Sequence, residues 1–204
     1  MPFVLERSDG HRVAVVHEKL QRTRLSYELF NEALKRAPAA AFVPSKPLRI
    51  TVDMGKVVGR AAIIKAAQIQ PNQPALFARR RYAGHDRPSR VVEIDGMLPQ
   101  TRYVTIIGDW VKQDEHWMIR TAYCGQYVYP QPWDFSAIVR SGLSLSNVLA
   151  FWCRAAFLYN PKEFQPRTHE DTWAGLVDDA AKRMSPDLVR MVGYNEVRRQ
   201  WTSQ

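Results

Sequence analysis

Two stretches limit the possible folds of this chain more than any others. "RYVTIIGDWV" (102–111) and "WMIRTAYC" (117–124) are dense in β-branched and aromatic residues. The polar link "KQDEH" between them has the length of a hairpin loop. The pattern predicts two antiparallel strands over 102–124. "RVVEID" (90–95) alternates Val91, Glu93 and Asp95 against Val92 and Ile94, and "LRITV" (48–52) reads as a short strand.

Elsewhere the spacing predicts helices. Val13, Val16, Leu20, Tyr27, Phe30 and Leu34 fall on one helical face, which predicts a long helix over 12–36. "APAAAFVPSKP" then breaks it. Val57, Val58, Ala61, Ile64 and Ala67 predict a second helix over 54–69, ended by "QPNQP". An apolar helix is expected over 144–159, and "PQPWD" (130–134) before it reads as a turn. Thr168 with Asp171 marks the start of a further helix, and Ser185-Pro186 opens the last one. The expected class is α+β: a small antiparallel sheet of three or more strands flanked by N-terminal and C-terminal helices. The expected organisation is a helical segment at 1–45, an α+β core at 46–135 and a helical segment at 136–204.

The formal net charge is +9, with a pI near 9.8. Such a surplus favours a polyanionic partner, RNA or another nucleic acid above all. The N-terminus lacks a basic region followed by a long apolar run, and no stretch reaches 18 apolar residues. A secretion signal and a membrane span are therefore not expected, and a cytoplasmic site of action fits best. Cys124 and Cys153 sit in apolar surroundings and read as buried thiols rather than a disulfide framework.

Several chemistries lack their residues. None of the five histidines (11, 17, 85, 116 and 169) pairs with Cys, Asp or Glu at a familiar ligand spacing, so no metal and no cofactor is expected. "MGKVVGR" has Val57 after Lys56 and lacks the first glycine of a phosphate loop. "GLSLS" lacks the second glycine of a nucleophile elbow.

What remains is a basic loop and the third strand. "FARRRYAGHDRPSR" (77–90), expected as a loop or irregular strand, sets five arginines against one aspartate. Arg79, Arg80 and Arg81 suit phosphates, and Tyr82 suits a base. His85 lies in this cationic field, which favours the neutral imidazole a general base needs. Lys65, on the expected helix before the sheet, is a further phosphate contact or a solvated lysine. His116 reads as a surface residue of the hairpin loop. In a regular strand Arg120 and Thr121 point to opposite faces, so they meet one ligand only at a bulge or a sheet edge. The competing reading pairs Arg120 with Glu93 or Asp95 on a neighbouring strand.

"WMIRTAYCG" (117–125), following a helical part and an antiparallel sheet, resembles the barnase–EndoU–colicin–RelE group of metal-independent ribonucleases and toxins. Branches of that group carry a strand reading "W-x-I-x-T-A-Y-P". Trp117, Ile119, Thr121, Ala122 and Tyr123 match, and Cys124 stands where proline is usual. The likeness covers about residues 50–135. It implies Thr121 and Arg120 as phosphate-binding groups and Tyr123 as a stacking or hydrogen-bonding residue; His85 and Lys65 are candidates from chemistry alone. The implied reaction is attack by the RNA 2′-hydroxyl on the adjacent phosphorus. His85 would move protons, Arg120 and Arg81 would offset phosphate charge, Thr121 would bond a phosphate oxygen, and Tyr123 would meet the base or leaving group. A toxin of this kind implies an acidic inhibitory protein. Two alternatives stand beside it: a non-catalytic basic nucleic-acid-binding protein, and a protein-interaction module of a phage or mobile-element system. An ADP-ribosyltransferase lacks its usual strand-borne glutamate motif here.

Overall fold

Val13, Val15 and Val16 are β-branched and suit a pleated surface better than a helix. Residues 12–16 accordingly form a strand and not the start of a long helix. The computed structural model describes residues 2–23, 25–65, 75–82, 85–132, 134–152 and 154–160. Strand β1 (Pro2–Glu6) pairs antiparallel with β2 (Arg12–Val16), and only then do helices α1 (His17–Arg22) and α2 (Tyr27–Arg36) follow. Ser26 caps α2 by accepting a hydrogen bond from the Leu29 N–H at 3.2 Å. A short 3₁₀ turn, Ala39–Ala41, leads to β3 (Leu48–Asp53).

The helix expected over 54–69 is replaced in its described part by two short strands, β4 (Gly59–Arg60) and β5 (Ile63–Lys65). Gly55 and Gly59 interrupt the helical pattern, and Val57, Val58, Ile63 and Ile64 are β-branched. Of the two readings of the arginine-rich stretch, loop or irregular strand, it is the strand that forms. It forms the long strands β6 (Ala75–Tyr82) and β7 (His85–Glu93), so 90–95 holds only the end of a strand. Next come β8 (Gln100–Thr101), β9 (Tyr103–Val111) and β10 (His116–Cys124), and the last two form the expected hairpin. After α3 (Phe135–Arg140), the helix expected over 144–159 divides into α4 (Leu145–Trp152) and strand β11 (Ala155–Tyr159). A short apolar run of this kind has no periodicity that separates buried strand from buried helix. The helices expected beyond residue 160 lie outside the described residues. The chain is α+β.

The chain divides into two compact units. Unit 1 joins residues 1–61 with 99–128, and unit 2 joins 62–98 with 129–204. In unit 1 the strand order is β1-β2-β10-β9-β3, antiparallel except where β2 meets β10. One sheet face presents Val13, Val15, Leu48, Ile50, Val52, Val104, Ile106, Trp117 and Ile119 to Leu20 of α1 and to Phe30, Ala33 and Leu34 of α2. Each large apolar side chain buried there contributes about 1.5–3 kcal/mol. Trp117, 1% exposed, packs against Trp110 at 4.4 Å and Phe42 at 5.4 Å between ring centroids.

A turn between β1 and β2 locks this layer together. The Arg7 guanidinium lies 4.2 Å above the Phe42 ring and donates to the carbonyls of Leu34 and Ala37, the latter at 2.7 Å. Those carbonyls belong to the end of α2, where no further helical N–H can reach them. Arg7 also forks onto Asp9, with Nη2 to Oδ2 at 2.9 Å and Nε to Oδ2 at 3.1 Å. The hydrogen bond from Arg7, aided by the His11 backbone N–H, holds the Asp9 carboxyl well below the usual carboxylate range. The folded state therefore gives up its charge later on acidification than the unfolded chain does. Asp9's contribution is fully present above the unfolded carboxyl value of about 4 and is lost progressively as pH falls below it. Urea titrations between pH 5 and pH 3 are expected to show stability falling less steeply for Asp9→Asn than for the natural chain. Parallel slopes would remove this assignment.

In unit 2 the order is β5-β11-β7-β6, with β11 parallel to β7 and the other neighbours antiparallel. Val91, Val92, Ala155, Ala156 and Leu158 are buried, as are Val148, Leu149 and Trp152 of α4. The Trp152 indole N–H donates to the Pro130 carbonyl at 2.8 Å, and Asp134 caps α3.

Candidate nucleic-acid interface

Two groups of candidate residues lie on two different units, and each is built by strand register. On β10 the pairing with β9 runs Ile119 to Gly108 and then Thr121 to Ile107, so Arg120 is an extra residue in a β-bulge. The bulge resets the pleat. Trp117 and Ile119 face the core before it, and Ala122 faces the core after it. Arg120 and Thr121 are thereby left together on the opposite sheet face. The conflict expected for a regular strand does not arise.

Gly108 makes this possible. A Cβ there would lie 2.9 Å from the Met118 carbonyl oxygen and 3.2 Å from Ile119 Cδ1. The glycine is required by space, because the bulged strand's backbone approaches closely at that point.

Arg120 does have a carboxylate partner, but not either of the expected ones. Its Nε donates to Asp109 Oδ2 at 2.6 Å, across the hairpin on β9. Glu93 belongs to β7, in the other sheet. The Arg120 side chain is 54% exposed, so the pair is solvated and worth no more than about 1 kcal/mol. Tyr123 is half-buried and occupied: its hydroxyl accepts from the Val128 N–H at 3.0 Å. Burial pushes the phenol pKa far above its ordinary value, so it stays neutral at physiological pH. Beside it the Thr105 hydroxyl donates to the Gly125 carbonyl at 2.8 Å. Thr105 therefore accepts from Thr51, 2.9 Å away. Tyr123 and Thr105 together hold residues 125–128 against the sheet. Cys124 packs on Gly59, where an added Cβ would lie 2.6 Å from its sulfur. His116, expected at the surface, is 7% exposed as the first residue of β10.

The second group lies on β6 and β7. Their register sets Arg79 opposite Pro88, Arg80 opposite Arg87, Arg81 opposite Asp86 and Tyr82 opposite His85. Strand alternation then assigns Arg80, Arg87, Tyr82 and His85 to one face of the pair. Arg79, Arg81, Asp86 and Pro88 take the other. The pairing of β11 with β7 begins at Val91. From Arg90 outward, among the described residues, β6 and β7 pair only with each other. They make a two-stranded ribbon of six residue pairs from Phe77/Arg90 to Tyr82/His85. At about 3.4 Å per residue it is roughly 17 Å long. Pro88 has no N–H to offer a third strand, which suits a segment that has left the sheet. Lys65 is the last residue of β5, opposite Ala155, and not part of a helix.

Among the described residues no cluster of three or more His, Cys, Asp or Glu is arranged to hold a metal ion. No described helix is long and apolar enough to cross a membrane. Comparison with known proteins returned no matching family model, no matching curated protein and no matching solved structure.

Proposed function

We propose that this protein binds nucleic acid through the β6–β7 ribbon. The observation that carries the reading is the register of Arg80 against Arg87. Like charges directly opposite on paired strands are destabilising. The register sets these two arginines opposite each other within a 14-residue segment holding five arginines and one acid. A polyanion removes the repulsion and turns the same arginines into phosphate contacts. Tyr82 and His85, two pairs further along the ribbon, add planar groups suited to nucleobases. Binding of this kind needs no catalytic group and no metal.

A second reading, a metal-independent ribonuclease, is favoured by the bulge on β10. Arg120 and Thr121 share a face there, as the resemblance to ribonuclease toxins requires of a phosphate site. Tyr123 has a structural duty that the resemblance does not imply. An acidic protein covering the cationic face would be the partner of such a toxin.

Incubation of the purified protein with cellular RNA in excess EDTA separates the two. The binding reading predicts intact RNA that is retarded in a gel and released by salt. RNA cut to 2′,3′-cyclic phosphate ends, with cutting lost in Arg120→Ala and His85→Ala, would replace it with the ribonuclease. Neither cutting of RNA nor retardation of RNA or of a DNA duplex would defeat both.

A further inference from the structure

We infer that β3 is a docking edge for a second copy of this chain, the two β3 strands joining antiparallel about a two-fold axis at Thr51. This does not rest on nucleic-acid binding. β3 ends the five-stranded sheet, and among the described residues no strand pairs with its other side. Its ladder with β9 fixes which backbone groups face outward. The Met54 N–H donates to the Arg102 carbonyl at 2.8 Å, one pair beyond Asp53 and Tyr103. Antiparallel pairs alternate between hydrogen-bonded and non-bonded. Leu48, Ile50 and Val52 therefore bond to β9, and Arg49, Thr51 and Asp53 turn their N–H and C=O groups away from it. The Tyr103 carbonyl has the matching phase, since it accepts from the Gly125 N–H at 2.8 Å, just past the end of β10. Thr51 and Asp53 are exposed.

Proteins guard such edges with proline, lysine or a bulge. β3, "LRITVD", carries no proline and no lysine, and it pairs with β9 without a register shift. β1, at the other edge, opens on Pro2, which has no N–H to donate.

The sequence of β3 identifies the occupant, because it is complementary to itself. An antiparallel copy centred on Thr51 sets Arg49 opposite Asp53 of the second copy, Ile50 opposite Val52, and Leu48 opposite Met54. Every row joins opposite charges, two threonines or two apolar side chains, which are the favourable cross-strand pairs. The Thr51 row and both Arg49/Asp53 rows also fall in phase with the outward N–H and C=O groups. Asp53 accepts from Arg102 and from the Gly55 N–H, the latter at 2.9 Å. An ionised carboxylate has about four lone-pair sites, so it can meet a second arginine as well. A two-fold interface requires this pattern, in which one residue meets another and the reverse contact repeats across the axis. Six residues a side make a small interface, so the dimer is expected to form with rising concentration and not to be permanent.

Sedimentation velocity of the full-length protein, freed of nucleic acid, tests the inference. The natural chain is expected to pass from monomer to dimer as concentration rises. Thr51→Lys sets two like charges against each other across the axis, and so does Thr51→Glu. Each is expected to weaken the dimer about tenfold. An equal mixture of the two variants is expected to recover it, because opposite charges then meet. A natural chain that stays monomeric would overturn the inference. So would a dimer that both substitutions leave unchanged, or a mixture that recovers nothing. Hydrogen exchange on the natural chain reads the same edge without a substitution. The Thr51 and Asp53 amides are expected to gain protection as the dimer forms, and the Val4 amide of β1 is not. Unchanged exchange at Thr51 while a dimer forms would place the contact on another surface and overturn the assignment to β3. None of these outcomes decides whether nucleic acid binds.

Discussion

Replacing Arg7 with alanine is expected to destabilise unit 1 by about 3 kcal/mol. Its guanidinium is 7% exposed and joins three features that are distant in sequence: the last carbonyls of α2, the Phe42 ring and the Asp9 carboxylate. Truncation leaves the Leu34 and Ala37 carbonyls without this donor. It also removes a cation resting on an aromatic face, an interaction worth about 0.5–2 kcal/mol by itself. A lysine cannot repair the loss, because an ammonium lacks the planar fork that reaches two carbonyls and a carboxylate at once. Arg7→Lys is therefore expected to recover less than half of the stability. Chemical denaturation followed by tryptophan fluorescence reads this directly, since Trp110 and Trp117 lie in this unit. A loss below about 1 kcal/mol in Arg7→Ala would show that the β1–β2 turn is not a clamp on α2.

Gly108→Ala is expected to cost about 2 kcal/mol, within the range for forcing an extra carbon into a packed interior. The nearest obstacle is the Met118 carbonyl, a backbone atom that cannot rotate away as a side-chain tip would. Relief requires β9 and β10 to separate at the bulge, so amides on both sides of it should lose hydrogen-exchange protection. The substitution also disturbs the shared face of Arg120 and Thr121 without touching either residue. An alanine variant as stable as the natural chain, with unchanged exchange at Ile107 and Thr121, would mean that the bulge does not depend on this glycine.

The 102–124 hairpin was legible because its two runs are rich in β-branched and aromatic residues and the link between them is short and polar. The helix expected over 12–36 was a coincidence of spacing. Val13 and Val16 fit one helical face, but Val13 and Val15 face the core from a strand, and the partner that makes them a strand is β1. "ALFARRRYAGHDRPSR" reads as a loop or an irregular strand because glycine and proline are poor strand formers. Its strands are set by pairing with each other, and for β7 by the buried Val91 and Val92 alongside β11. Local propensity contains none of that. The bulge at Arg120 left one trace, a glycine at position 108 amid β-branched neighbours, and only the register gave that glycine a meaning. Arg120 and Thr121 were identifiable as a pair, whereas Asp109 as the partner of Arg120 depended on the hairpin register. Tyr123 was singled out as a ligand contact, and its bond to the Val128 amide depends on a loop whose path no motif specified.

Phosphate contact by Arg80 and Arg87 can be separated from any contribution they make to folding. Removing the opposed charges of the Arg80/Arg87 pair relieves a cross-strand repulsion. The doubly substituted Arg80→Ala/Arg87→Ala protein should unfold at the same temperature as the natural chain or slightly above it. Its affinity for nucleic acid should fall while its fold does not. The decisive measurement is the slope of log affinity against log salt concentration for the two proteins. Each phosphate neutralised on duplex DNA contributes about −0.9 to that slope. The account predicts a slope shallower by about 1.8 in the double variant, with a native near-ultraviolet spectrum. An unchanged slope and affinity in a folded variant would contradict it.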